Sequence, residues 1–429
     1  MHTSAAAAEI PPSSAALQAD IAVIGGGIVG VACAVELARR GASVVVIERN
    51  GLGHGCSYGN AGWLTPSQAV PLANPSMLFK SFKWMLDPES PLYVQPRLDP
   101  SYLRWLAGFL LASRRAPFER GAAALVELCV ASTDLWEQFA AKSSQPFGFE
   151  RHGLLAVYEN AASLDAARGG IDLVTRHGVR AERWSSDEVR EREPAIIGRQ
   201  VGGYFYPDDA HCEPYKAVQA LAAEGASLGV RFLQGAEVFG VSPAGHSPRR
   251  LTTTRGEVVA KQVVMAAGSW AESLGQLFGL RVPILGAKGY SLLLPRATPH
   301  PTRSIYLIER KVAVNPHADA LRIAGTLELV RNDFSINQRR VAVILRGARA
   351  MLNLGDAPVV RETWRGLRPC APDGMPLIGR ARGQRDVWLA TGHQMAGLKT
   401  APGTAVLLAD LMTGATPRFN PEPFRADRY

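Results

Sequence analysis

The chain has little cysteine and places none of it in a metal or disulfide pattern. Cys33, Cys56, Cys129, Cys212 and Cys370 are odd in number, scattered and free of any Cys-x-x-Cys pair, which argues against structural zinc and a disulfide framework and fits a reducing compartment. The nine histidines show no His-x-x-x-His spacing, so no metal is expected. No run of about 18 apolar residues exists, so no membrane-spanning helix is expected either. Residues 1–19 lack a basic segment followed by an apolar stretch, and their Ala, Ser and Pro content predicts a flexible tail rather than a secretory leader. What is present is a globular composition, 47% hydrophobic and 20% charged over 429 residues, enough for two domains or an interleaved pair. Lys and Arg number 47 against 38 Asp and Glu. That excess of +9 attracts anions, and with no nucleic-acid module in the chain it points to an anionic membrane surface or small carboxylates.

Residues 21–30, Ile-Ala-Val-Ile-Gly-Gly-Gly-Ile-Val-Gly, precede an amphipathic run over 31–40 and a second apolar strand, 44–47, ending in Glu48 and Arg49. This is the strand, glycine turn, helix and strand of a dinucleotide-binding unit. Gly25 suits the tight turn, Gly27 lets a pyrophosphate approach the backbone, and Gly30 lets the helix lie close on the strand. The helix start at Ile28 and Val29 then faces the phosphates. Glu48 stands where a carboxylate binds a ribose diol, which disfavours NADP and leaves FAD and NAD open.

A glycine-dense loop follows over 50–66, expected where backbone presses against a flat object. Residues 71–115 mix aromatic and aliphatic side chains with basic ones, the pattern of helices with basic rims or of a surface resting on anionic lipid. Helices are predicted over 120–141, 164–177, 214–229, 337–352 and 400–412. Strands are predicted over 153–158, 263–265, 290–294, 321–324 and 387–391, and a strand pair over 230–241. The expected division is a tail (1–19), a cofactor domain built from 20–145 with a helical insert at 71–115, from 214–282 and from 364–429, and a mostly antiparallel second domain built from 146–213 and 283–363.

Near the end stand Gly366-Leu367-Arg368-Pro369 and the stretch Gly392-His393-Gln394-Met395-Ala396-Gly397-Leu398. With the opening motif, these resemble the FAD-dependent D-amino acid dehydrogenase and glycine oxidase family of the D-amino acid oxidase superfamily, and Ser90-Pro91-Leu92, Leu98-Asp99-Pro100 and Arg104-Trp105-Leu106 resemble the insert of its bacterial D-amino acid dehydrogenase branch. The resemblance runs from Asp20 to Gly414. It implies an α/β fold, with a glutathione-reductase-like FAD-binding Rossmann domain interleaved with a mostly antiparallel substrate domain. It implies FAD as cofactor, with Gly25, Gly27, Ile28, Val29 and Gly30 at the pyrophosphate and Glu48 and Arg49 near the adenosine. Cys56, Ser57, Asn60, Ala61 and Gly62 would follow the ribityl chain and ring, Val238 the adenine side, and Ala267, Gly268 and Trp270 the middle. Gly392, His393, Met395, Gly397 and Leu398 would face the ring edge.

The implied reaction is hydride transfer from the Cα of a small D-amino acid, D-proline and hydroxy-D-proline among the candidates, to flavin N5. Arg368 would hold the substrate carboxylate through its planar fork, with Lys288 or Arg365 assisting and Tyr290 and Tyr306 closing the pocket. His54 is a further candidate near the flavin, and His211 one facing the substrate. Electrons would pass to a quinone or other acceptor of the respiratory chain, from a cytoplasmic enzyme resting peripherally on the membrane. A glycine- or sarcosine-type oxidase using oxygen is the alternative, and a flavin-binding protein without activity a more distant one.

Overall fold

The computed structural model describes residues 16–75, 92–95, 97–245 and 247–429. The aromatic and basic residues of the insert between 76 and 91 lie outside these.

Strands are numbered in chain order. The first sheet has eight: β1 (Leu17–Ile24), β2 (Val44–Ile47), β9 (Arg231–Leu233), β10 (Val238–Val241), β11 (Arg249–Thr253), β12 (Gly256–Met265), β18 (Leu377–Arg380) and β19 (Val387–Thr391). Their order is β10-β11-β12-β1-β2-β9, with β19 beside β12 and β18 beside β19. Its centre, β19-β12-β1-β2-β9, is parallel. Parallel strands are covered on both faces, which is why β2 reads Val-Val-Val-Ile with every residue buried. The predicted strand pair over 230–241 does return to this sheet, but its halves do not pair with each other: β9 and β10 occupy opposite edges.

One face of the sheet is covered by helix α1 (Ile28–Arg39), which packs against α4 (Pro214–Ser227) and α6 (Gly397–Thr413). Helix α3 (Arg115–Lys142) lies on α6 in turn. Pro402 sits inside α6 and cannot donate to the carbonyl four residues back. The indole N–H of Trp136 on α3 donates to that Leu398 carbonyl instead, at 3.0 Å. The seam is therefore closed in polar as well as apolar terms.

The second sheet has nine strands: β4 (Leu92–Val94), β5 (Leu154–Tyr158), β6 (Glu182–Ser185), β7 (Gly202–Tyr206), β13 (Leu285–Pro295), β14 (Ser304–Leu307), β15 (Val312–Pro316), β16 (Ala320–Leu329) and β17 (Glu362–Cys370). The order is β17-β13-β16-β15-β14-β5-β7-β6, with β4 added beside β16. All pairings are antiparallel except β5 with β14 and β4 with β16. A small third sheet pairs β3 (Trp63–Leu64) with β8 (Ala210–His211).

Two expected boundaries shift. Residues 364–370, assigned to the cofactor domain, extend β17 of the second sheet, and the insert contributes β4 to that sheet. The helix predicted over 164–177 is two, Ala161–Ala166 and Arg168–Thr175, and the helix predicted from residue 120 starts at Arg115.

Side chains alternate across a sheet. Helix α5 (Gln338–Arg349), N-capped by Asn337, covers one face of the second sheet, where Tyr290, Leu292 and Ile323 are buried against Val341 and Ile344. The opposite face carries Arg368 and Gly366 on β17, Gly289 and Ser291 on β13, Arg322 on β16, Asn315 on β15 and Tyr306 on β14, as the cross-strand register dictates.

Candidate active site

A cleft of about 430 Å³ runs across the carboxyl ends of β1, β2, β12 and β19, the place where open α/β sheets bind ligands. At its first end Glu48 accepts from the Gly26 N–H at 2.7 Å and the Asn50 N–H at 2.8 Å, so the carboxylate is fixed in the wall. Arg49 lies over the Trp270 ring at 4.7 Å, and Trp270 stacks on Phe334. Val238, Ala267 and Gly268 line the cleft beside them.

In the middle, the glycine turn behaves as its spacing demands. Gly25 has φ +117°, and a Cβ on it would stand 2.5 Å from the Ala266 carbonyl oxygen. Gly30 lies beneath the Gly25 carbonyl and lets α1 close on β1. Gly27 differs: a Cβ there would meet only Ser57 Oγ, at 3.5 Å, and would project into the cleft beside Ile28 and Val29. No side chain of α1's first turn is acidic and Gly27 supplies no side-chain cap, although Ser57 Oγ accepts from the Ile28 N–H at 3.0 Å. The end of α1 thus presents partial positive charge.

At the far end Cys56, Asn60, Pro369, His393, Gln394, Gly397 and Leu398 form the walls. Helix α6 starts here, again without a side-chain cap or first-turn acid. His393 Nε2 and Thr404 Oγ1 are 3.1 Å apart, and burial pushes the imidazole down to about 3, so the ring is neutral. Gln394 takes the left-handed φ of +44° while its side chain accepts from the Leu72 N–H at 3.0 Å.

Above that end stands Arg368. Its guanidinium lies on Gly289, where a Cβ would collide with it, and one N–H donates to the Thr326 carbonyl at 2.8 Å. Burial lowers its pKa; Cys56, Cys370 and Tyr306 are the groups that interact with its charge. Among the described residues it has no carboxylate partner, whereas the buried arginines Arg249, Arg322 and Arg340 all do. Tyr306 packs edge-on against Trp63, and burial raises its hydroxyl to about 12. Trp364 covers Gly366 and presses on Gly59.

Several expected site residues stand elsewhere. Tyr290 faces α5, and its hydroxyl accepts from the Asn337 N–H at 3.2 Å, because even-numbered β13 positions point away from the cleft. Lys288 shares that face and pairs with Asp333 at 2.6 Å. Arg365 donates to the Phe334 carbonyl and stacks on its ring. His54 is exposed and sits between Tyr58 and Tyr215. Gly62 makes room for Asn315 and the Cys212 carbonyl rather than for the cleft. His211 is buried 3.5 Å from Glu150. Gly392 packs on Ile284 and Ala371. Ala61 does not line the cleft, and neither does Met395, which is exposed. Glu237, Phe239 and Pro369 also line the cleft and carry no signal in the sequence beyond the Arg-Pro context of Pro369.

The family model described as DAO, FAD dependent oxidoreductase, matches residues 20–411. The chain belongs to this family. FAD is therefore its cofactor and oxidation–reduction its activity. The cleft fits FAD: it meets two helix starts whose first turns carry no acid, and at Gly27 a side chain would project into it. The D-amino acid dehydrogenase of Paramagnetospirillum magneticum is 33% identical over 416 residues, covering 95% of this chain and 98% of the relative. D-amino acid dehydrogenase 2 of Ralstonia nicotianae is 34% identical over 428 residues, covering 95% and 100%. Among solved structures, glycine oxidase of Geobacillus kaustophilus superposes with TM-score 0.78 at 23% identity, covering 96% of this chain and 99% of that one. L-proline dehydrogenase of P. horikoshii superposes with TM-score 0.77 at 20% identity, covering 96% and 98%. These two likenesses are of fold.

Proposed function

We propose that this family member is a D-amino acid dehydrogenase: it oxidises a small D-amino acid, with D-proline and its hydroxylated form in the candidate range, and passes the electrons to a membrane quinone. The observation that carries the substrate reading is Arg368, a half-buried guanidinium with no carboxylate among the described residues to neutralise it. A guanidinium partly withdrawn from water and lacking a counter-ion favours an anionic ligand, and its planar fork suits a substrate carboxylate. The D-configuration is supported by the relatives' names.

When bound, FAD supplies a two-electron acceptor that takes hydride at N5. The chain's own groups do the positioning. Arg368 fixes the carboxylate end, so that the Cα–H bond is held toward the ring. Tyr306 and Trp364 stand on the same sheet face and limit side-chain room. The start of α6 stabilises negative charge developing beside it. His393, neutral and tied to Thr404, takes up no proton in the functional pH range. An amine substrate enters the step neutral, so no protein base is required. The imino product of a primary amine hydrolyses to a 2-oxo acid and ammonia, while a proline-like substrate gives a cyclic imine.

Replacing Arg368 by Ala should lower kcat/KM by about a hundredfold or more, the cost of truncating one side of a buried charge pair. Lys should recover only part of it. Flavin content should stay unchanged in both. Unaltered turnover of Arg368→Ala would refute the substrate reading.

The quinone reading is supported by α2 (Pro100–Ala112), whose outward Leu103, Leu110 and Leu111 are exposed near Arg104, Arg114 and Arg115. No helix among the described residues is long and apolar enough to cross a membrane, so contact would be peripheral.

A further inference from the structure

A stack of four side chains joins the two sheets across the cleft. Trp270 follows β12, while Arg49 and Gly55 follow β2, and β1 with its glycine turn lies between those two strands. All three residues line the cleft. Arg49 lies over the Trp270 ring at 4.7 Å, and a Cβ on Gly55 would stand 3.9 Å from the same ring. The indole therefore reaches from one side of the cleft to the other and crosses it at the end of β1.

From Trp270 the stack continues onto the second sheet. The Trp270 and Phe334 rings lie 15° from parallel with centroids 5.8 Å apart, and the Arg365 guanidinium stands 4.9 Å from the Phe334 centroid. Offset rings and cations over ring faces are favourable contacts, since each face carries the negative part of the ring's quadrupole. Phe334 is 38% exposed, yet the segment that carries it is fastened. Arg331 pairs with Asp99 and Glu272 at 2.8 Å each, Asp333 pairs with Lys288 at 2.6 Å, and the Phe334 carbonyl accepts from Arg365 Nε at 2.8 Å. Neither Phe334 nor Arg365 lines the cleft. Their effect on its contents passes through Trp270.

We infer that Phe334 and Arg365 are positioning residues for the cofactor: they hold Trp270 across the cleft and so retain FAD. The stack acts as a latch, with its fixed part on the second sheet and its bolt on the first. FAD leaves when the indole swings off Phe334, so the strength of the stack is read in the rate of release. The same contact ties retention of the cofactor to the sheet that carries Arg368.

The test follows flavin fluorescence as diluted holoenzyme releases FAD. Phe334→Ala should speed release by about three- to tenfold, the worth of one stacked ring pair, and Phe334→Trp should restore the slow rate. Arg365→Gln should speed it by about two- to fivefold, the worth of one exposed cation–π contact. Because Phe334 acts through Trp270, Phe334→Ala should add almost nothing in a Trp270→Ala background. Release as slow in Phe334→Ala as in the wild type would overturn the latch, even with an apoprotein that melts lower, since the stack would then only fasten the sheets. Equal acceleration by Phe334→Ala with and without Trp270 would overturn it too.

Discussion

At the scale of single residues, two glycines two positions apart in the same turn have different duties. Gly25 is constrained by the protein itself, through φ +117° and the Ala266 carbonyl, whereas Gly27 is constrained only by what lies in the cleft. Gly25→Ala should therefore cost stability, about 1–3 kcal/mol for a side chain forced into that backbone region. Gly27→Val should melt like the wild-type apoprotein and lose at least about tenfold in FAD affinity, 1.4 kcal/mol. Flavin absorbance per mole of purified protein and apoprotein melting curves separate the two. Two histidines set the acid limit. Burial pushes His393 and His317 each down to about 3 from 6.5, so the folded state holds both neutral while the unfolded chain protonates them. Between about pH 6.5 and 3 the unfolded chain binds more protons. Their contribution is therefore complete above 6.5 and falls as pH drops, by up to about 1.4 kcal/mol per unit for each. Melting temperature against pH should fall more gently below 6.5 in the His317→Asn, His393→Asn double variant.

At the scale of elements, what was legible followed from local rules. Residues 21–49 announce β1, α1 and β2 because glycine, apolar strand and acid sit at fixed offsets, and the fold class follows from them. Asn337 announces α5 because a side-chain cap is written in sequence: it accepts from the N–H groups of Arg339 and Arg340. The site's second half was only partly legible. Arg368, Tyr290 and Lys288 occur on paired antiparallel strands, and which face each takes depends on a register that only the folded sheet sets. That is why Arg368 and Gly289 look toward the cleft and Tyr290 and Lys288 look toward α5. β9 and β10 were foreseen as strands, but their placement at opposite edges is a long-range choice. Helix α2 carries its own consequence at this scale. If its leucine face meets an anionic bilayer, wild-type protein should sediment with anionic vesicles at low salt, and a Leu103→Asp, Leu110→Asp variant should lose most of that binding. Equal binding of both would remove α2 from the membrane account.

At the scale of the whole molecule, one sheet offers the cofactor its edge and the other, in the proposed reading, offers the substrate its face. The parallel sheet collects Glu48, the glycine turn and the start of α6 along one cleft, because strand ends and helix starts converge there. The antiparallel sheet lays Arg368 over the far end of that cleft, and β17 reaches it only because residues 362–370 join the second sheet before the chain returns to the first. Oxidation of a small D-amino acid held by Arg368 is the central claim, and anaerobic titration of the flavin-loaded enzyme with paired D- and L-amino acids, proline included, tests it most directly. Bleaching of the flavin absorbance by small D-amino acids, with their L-enantiomers inert, is the result predicted. Failure of every D-amino acid to bleach it, or bleaching by the L-enantiomers instead, would contradict the account.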